Sequence, residues 1–163
     1  MALCFSLLFA LGMLLNFVYD RARSKARNDV CLENVSRQSR ALLQYATDYD
    51  NHFPPATRWQ TVIGRYLTHP LTSCLETPRG PVAGLGYAMN SSQDGALQAE
   101  KAQEILLFET SSLAVNAHDT GESFAPRHGT SASRLKKSWA SFGDGHTKLL
   151  SRDEFQTAIR SVK

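Results

Sequence analysis

One uninterrupted stretch sets the architecture of the chain: residues 2–49 read ALCFSLLFALGMLLNFVYDRARSKARNDVCLENVSRQSRALLQYATDY. The stretch contains no proline, and its single glycine is Gly12. Proline breaks a helix interior and glycine weakens it, so this composition favours one long helix. The first part is apolar and the second is rich in charge, which predicts that the two parts lie in different surroundings.

The apolar part, Ala2 to Tyr19, has the length of a membrane anchor. Its 18 residues rise about 1.5 Å each and give roughly 27 Å, close to the thickness of the hydrocarbon core of a bilayer. No charge interrupts the run, and Asn16 is its only strongly polar side chain. A secretory signal peptide is the alternative, but no basic segment precedes the run and no small-residue cleavage site follows it. We therefore predict that residues 1–19 form an uncleaved transmembrane anchor.

Residues 20–50 carry the pattern of an amphipathic helical stalk. Apolar side chains recur at three-, four- and seven-residue steps; they are Cys31, Val35, Leu42, Ala46 and Tyr49, with Leu43 beside them. Polar side chains are assigned to the other faces: Arg37, Gln38, Arg40 and Gln44. This pattern predicts a helix with one face against a head domain and the others in water. The turn signal Asp50-Asn51, with Pro54-Pro55 just beyond, predicts its end.

The head, residues 51–163, is long enough for one modest hydrophobic core. Its pattern predicts a short helix over 57–67 with Thr57 as the cap, a long loop over 68–83, and irregular structure over 111–137. Four segments have the composition of strands: Gly86–Asn90, Glu104–Thr110, Ser138–Gly143 and His146–Leu150. The predicted fold class is α+β, with the long helix packed on a small antiparallel sheet.

The C-terminal end has the clearest local signals. Asp144-Gly145 lies between two strand-like runs and predicts a hairpin with a type I′ turn. Ser151 and Glu154 then form a capping box. It starts a helix with Phe155, Ile159 and Val162 on one face.

Several segments resemble, in order, one bacterial family. They are Arg21–Arg27 (RARSKAR), Cys31–Val35 (CLENV), Ala41–Asp50 (ALLQYATDYD) and Phe53–Pro55 (FPP), followed near the C-terminus by Arg127, His128, Phe142, Asp144, Gly145 and His146. The family is that of type II secretion pseudopilin-like and type IV pilin-like proteins, with prepilin-type N-terminal cleavage and methylation and a C-terminal histidine–spacer–Asp-Gly motif. Here 15 residues separate His128 from Asp144, whereas the family motif has a shorter spacer.

The resemblance implies a structural subunit of a secretion or pilus-like assembly that catalyses no reaction. No catalytic residue, metal or cofactor is predicted. Its implied partners are copies of itself, other pilin-like subunits, an inner-membrane assembly platform and membrane lipid. The implied location is the inner membrane, with a single span and a periplasmic head. Basic residues beside an anchor usually stay cytoplasmic, so the run Arg21–Arg27 taken alone would favour the opposite orientation.

The resemblance also bears on the three cysteines. Cys4 falls in the predicted anchor, whereas Cys31 and Cys74 would both be extracytoplasmic. A disulfide is permitted in that compartment. Since the sequence does not fix the distance between the two residues, a disulfide and two separate thiols both stay open.

The sequence also bears on functions other than a structural one. The family's mature helix carries a glutamate near its start, and in one register Phe9 stands in its place, which leaves open a membrane-anchored extracytoplasmic binding module that no longer polymerises. A zinc site or a hydrolase built from His128, Asp144 and His146 is not favoured, because no ligand spacing or nucleophile motif accompanies them. Nucleic acid is not predicted as a partner, because the net charge of +3 is spread along the chain. The scattered Asp119, Glu122 and Asp144 do not predict a calcium site.

Overall fold

The structure is a computed structural model that describes residues 2–70, 73–74, 85–129 and 135–161, with side chains from Phe9 onward. Helix α1 spans Ala2–Asp48, 47 residues without a break. It ends because Asp50 and Asn51 take left-handed conformations, with φ of 52° and 59°. The predicted long helix and its end are confirmed. Most of the loop predicted over 68–83 lies outside the described residues.

The buried stripe of α1 is wider and more polar than the sequence suggested. Cys31, Val35, Leu42 and Ala46 are buried as predicted, but Tyr49 is exposed. Gln38, which was assigned to the water-facing side, is fully buried together with Asn34 and Ser39. These polar residues lie between the apolar positions on the same face, so the head covers more of the helix than the apolar pattern alone defines.

Short helical turns follow α1. Helix α2 spans Trp59–Ile63 and is flanked by 3₁₀ turns at Ala56–Arg58 and Gly64–Tyr66. The prediction that Thr57 caps this helix is wrong, because the residue before α2 is Arg58 and no side chain caps the helix. The buried Trp59 fixes α2 to the head, since its indole Nε1 donates to the carbonyl of Ala117 at 2.9 Å.

The head contains a five-stranded sheet in the order β3-β1-β2-β4-β5. The strands are β1 (Tyr87–Asn90), β2 (Ile105–Glu109), β3 (His118–Asp119), β4 (Ser138–Phe142) and β5 (Thr147–Leu150). The four predicted strands are present and pair antiparallel. The sheet is mixed rather than antiparallel, because the short strand β3 pairs parallel with the edge of β1. Strand β3 comes from the part of the chain that was predicted to be irregular.

The C-terminal hairpin and helix follow the sequence signals closely. Helix α3 spans Arg152–Arg160, and both hydrogen bonds of the Ser151–Glu154 capping box are present. The Asp144-Gly145 turn joins β4 to β5, but the type I′ assignment is wrong. Only Gly145 has positive φ, at 92°, and its N–H donates to the carbonyl of Phe142 at 2.9 Å. A turn followed by one glycine of positive φ is the common three-residue hairpin loop.

The sheet separates two apolar cores. One side packs against α1 and α2 through Tyr87, Met89, Leu106 and Leu107. The other side packs against α3, where the ring of Phe155 stacks on Phe124 at 3.8 Å between centroids. The head is therefore a three-layer arrangement of helix, sheet and helix, with α1 and α2 on one face of the sheet and α3 on the other.

A substitution at Gly143, in the turn between β4 and β5, tests how closely this turn packs against Lys101. A Cβ on Gly143 would meet the backbone carbonyl oxygen of Lys101 well inside van der Waals contact. We expect Gly143→Ala to lower the free energy of unfolding by about 1–3 kcal/mol, measured by urea unfolding of the full chain in detergent micelles. Gly64→Ala is the matched control, because nothing lies within 4 Å of a Cβ at that position. Equal effects of the two substitutions would contradict the packing of this turn.

Candidate functional site

The part of α1 before the head has an unusually apolar exposed surface. Between Phe9 and Arg23 every residue is exposed except Gly12, which is half-buried. Eight large apolar side chains are exposed there by 52–70%: Phe9, Leu11, Met13, Leu14, Leu15, Phe17, Val18 and Tyr19. We call residues 9–19 the apolar segment. Monomeric soluble proteins rarely expose a continuous apolar surface of this kind, so the segment is a candidate interaction surface.

The apolar segment is apolar around the whole helix rather than on one stripe. Successive residues of a helix turn by about 100°, so eight large apolar side chains within eleven residues cover all sides. A helix that is apolar all round is normally buried in a large core or in a membrane. Its polar exception is Asn16, whose amide donates within the helix to the carbonyl of Gly12 at 2.9 Å. Apolar surroundings on every side would therefore stabilise the apolar segment relative to water.

No helix among the described residues is long and apolar enough to cross a membrane. The predicted anchor, residues 1–19, lies partly outside them, since no side chain before Phe9 is described.

A basic band follows the apolar segment. Arg21, Arg23 and Lys25 are exposed, and Arg27 is half-buried. The guanidinium of Arg21 lies over the Phe17 ring, 5.0 Å from its centroid. The change from apolar to basic surface thus takes place within about one turn of helix, beside the point where the head begins.

Three contacts fasten the next part of α1 to the head. The hydroxyl of Ser24 lies 3.5 Å from the carbonyl of Gly129, and the indole of Trp139 donates to the side chain of Asn28 at 2.8 Å. Cys31 is joined to Cys74 by a disulfide, with 5.2 Å between the Cα atoms. Of the two states that the sequence left open for these cysteines, the structure contains the disulfide. All three contacts lie within two turns of helix at the base of the head.

A buried hydrogen-bonded pair, Glu109 and His128, lies beside the disulfide. Glu109, at the end of β2, is fully buried, and both of its oxygens lie within 2.9 Å of the Nε2 atom of His128. The backbone N–H of Trp139 also donates to Glu109, at 2.8 Å. His128 is itself 6% exposed and pairs through its backbone with Lys137. The family motif includes His128, whereas nothing in the sequence indicates that Glu109 is buried, because a polar residue at a strand end is ordinarily exposed.

The negative charge of Glu109 affects the pKa values of two neighbouring side chains, Tyr87 and Arg127. Burial raises the pKa of Tyr87 above its ordinary value, the negative Glu109 adds to this shift, and Asn34 opposes it. Burial lowers the pKa of Arg127, and the attraction of Glu109 opposes that shift. The Arg127 guanidinium also donates to the carbonyl of Thr110. Glu109 and Tyr87 are buried and Arg127 is half-buried, so these groups form a largely buried polar cluster.

The other motif residues lie elsewhere. Asp144 accepts from the backbone N–H of His146 at 3.0 Å and from its ring, and the ring of His146 stacks on Phe142 at 4.1 Å. Burial opposes ionisation of Asp144, but the hydrogen bonds from His146 outweigh it and lower the pKa of the carboxyl. This arrangement fixes the hairpin turn.

The structure does not bring His128 together with Asp144 and His146. His128 pairs just before β4 and Asp144 follows it. Five residues of strand at about 3.3 Å each separate the two ends by roughly 17 Å. A catalytic or metal site of these three residues is therefore not formed. A different group does converge: one ligand atom each from Cys31, Cys74, Glu109 and His128, all within 4.8 Å of one another.

Comparison of the chain with models of protein families, with curated proteins and with solved structures gives no match.

The buried pair gives a second test. Replacing His128 with Ala removes a partner of the buried Glu109 carboxylate, so we expect the free energy of unfolding to fall by about 2–4 kcal/mol. Urea unfolding of the full chain in micelles, followed by the fluorescence of Trp59 and Trp139, measures the change. His146→Ala is the control and should cost less than about 1 kcal/mol, because its pair with Asp144 is half-exposed. A His128→Ala protein as stable as the control would show that the pair does not hold the head together.

Proposed function

We propose that the chain is a structural, pseudopilin-like subunit of a type II secretion or type IV pilus-like assembly. In this proposal the apolar segment packs against the same segment of neighbouring subunits and against membrane lipid, and the head decorates the outside of the helix bundle. The chain makes and breaks no bond. An inner-membrane assembly platform would receive the subunit, as the family resemblance implies.

One observation carries the proposal: the eight exposed apolar side chains between Phe9 and Tyr19, on a helix that runs on without a break into the head. A helix that only had to complete the head could begin near Ser24, where its contacts with the head begin. The additional length exposes apolar surface on all sides, which is unfavourable in water and favourable in a bundle of helices or in lipid. The fold, a long helix laid on one face of a small sheet, is of the kind that the pilin resemblance implies.

Two further features agree with this function. The basic band from Arg21 to Lys25 is placed to meet anionic lipid headgroups when the apolar segment is in the membrane. The disulfide between Cys31 and Cys74 suits an oxidising compartment, and so supports a periplasmic head. A single membrane span with the head in the periplasm is therefore our proposed topology.

Site-specific photo-crosslinking in the cells that make the protein tests this function. A photoreactive phenylalanine analogue replaces Leu14 or Val18, both of which are more than half exposed in the apolar segment. We expect products at twice the mass of the chain and products with other pilin-like subunits. Val115 is the matched control, because it is an apolar head residue of similar exposure. We expect the control position to give far less of these products.

The outcome also separates the proposal from its alternative. A membrane-anchored binding module would place Leu14 and Val18 in lipid, and both positions would then crosslink to lipid while the protein stayed at the mass of one chain. That result would contradict assembly through the apolar segment. Crosslinks between chains at Val115 alone would place the contact on the head instead and would contradict it as well.

A further inference from the structure

Cys31, Cys74, Glu109 and His128 form the one group of potential metal ligands of this kind among the described residues. All four are buried, with exposures of 0%, 1%, 0% and 6%. They come from four separate parts of the chain: α1, the segment at residues 73–74, the end of β2, and the residue that pairs with Lys137. We propose that when the disulfide is reduced, these four side chains bind one Zn²⁺ ion.

The donor set is that of a closed zinc site. Zinc prefers thiolate and imidazole ligands, accepts carboxylate, and is four-coordinate in structural sites. Zinc–ligand bonds of about 2.0–2.3 Å place the ligand atoms of a tetrahedral site about 3.3–3.8 Å apart. The four atoms already lie within 4.8 Å of one another, and Cys74 Sγ lies 3.9 Å from His128 Nε2. Each atom therefore needs to move by on the order of 1 Å.

The surroundings orient the two ligands that are not cysteines. The backbone N–H of Trp139 donates to Glu109 Oε2 at 2.8 Å, so Oε1, which lies 2.8 Å from His128 Nε2, is the oxygen that would bind the metal. The Nε2 atom of His128 faces both the carboxylate and the sulfur of Cys74. A hydrogen bond of this kind to a ligand's second atom is the usual support of a metal site.

The charges balance in the metal-bound form. Two thiolates and the Glu109 carboxylate carry three negative charges, and Zn²⁺ leaves one of them uncompensated. Arg127 supplies the remaining positive charge, since its guanidinium donates to the carbonyl of Thr110, the residue after Glu109. A buried metal site with no net charge avoids the large cost of an unpaired charge in the protein interior.

The chemical change requires a dithiol reductant. Two electrons and two protons from the reductant convert the sulfur–sulfur bond into two thiols, and the reductant becomes a cyclic disulfide. Zinc binding then releases both thiol protons to solvent. The ion takes the place of the hydrogen between Nε2 and the carboxylate. That proton moves to Nδ1, so the imidazole binds as the neutral ring. The segment at residues 73–74 stays fastened to α1 in either state, by the disulfide under oxidising conditions and by zinc under reducing ones.

Cobalt binding to the full chain in detergent micelles tests the site. A Cys4→Ser background leaves Cys31 and Cys74 as the sole thiols of a chain with three cysteines. The protein is reduced with excess dithiol, freed of reductant without air, and titrated with Co²⁺. We expect one Co²⁺ per chain, with thiolate-to-cobalt charge-transfer absorption and the visible bands of a tetrahedral site, and full displacement by Zn²⁺. The same protein with its disulfide intact should show none of these bands.

Substitutions of the proposed ligands test which side chains bind the metal. His128→Ala and Glu109→Gln should each weaken cobalt binding by at least about tenfold, whereas His146→Ala, at the distant hairpin turn, should leave it unchanged. If circular dichroism shows that His128→Ala is unfolded, Glu109→Gln decides, because its amide oxygen can still accept from Trp139. A reduced and folded protein without charge-transfer absorption would overturn the proposal. So would binding that is equally tight in wild type and Glu109→Gln.

Discussion

A head of this size can cover only part of a 47-residue helix, and the rest of the structure depends on this constraint. The second half of α1 gives one face of the sheet its core through Cys31, Val35 and Leu42, which are fully buried. The first half has no partner of comparable extent among the described residues, although its side chains are the more apolar. Apolar surface of this extent is unfavourable in water, and the proposed assembly would bury it against other subunits and lipid. The molecule therefore consists of a folded head and a helical segment that the described part of the head leaves exposed.

The junction between these two parts is held by polar and covalent contacts rather than by apolar packing alone. The disulfide of Cys31, the hydrogen bond from Trp139 to Asn28, and the buried pair of Glu109 and His128 all lie where α1 meets the sheet. Removing one partner of such a buried pair is costly, because the other polar group is left buried without its hydrogen bond. Such contacts fix the direction in which α1 leaves the head. A subunit whose helix must enter a bundle needs that direction to be the same in every copy.

Local signals in the sequence predicted the local structure well. The absence of proline between residues 2 and 49 predicted α1, and Ser151 with Glu154 predicted the start of α3. These features depend on neighbouring residues, so periodicity and capping rules suffice for them. The burial of Gln38 and Glu109 depends on packing between distant segments, and no local pattern indicates it. Strand β3 has only two residues and takes its register from β1, which explains why its composition gave no signal.

The candidate site likewise depends on contacts between distant segments, which the sequence does not indicate. The family motif directed attention to His128, Asp144 and His146, which the chain places at opposite ends of β4. The partners that His128 does meet, Glu109 and the two cysteines, lie at least 19 residues away in sequence. Their convergence results from the three-layer packing, and so it becomes visible only in the folded chain.

The most direct measurement asks what covers the apolar segment. A nitroxide is attached to Leu14→Cys in a Cys4→Ser background, with the disulfide intact, and the chain is placed in vesicles of phosphatidylethanolamine and phosphatidylglycerol. Collisions with a water-soluble nickel complex then report exposure to water, and Val115→Cys on the head serves as the reference. We predict that the label at Leu14 is shielded from nickel while the label at Val115 is freely accessible. Equal accessibility at both positions would mean that the apolar segment stays in water, and would contradict its role as a buried helical end.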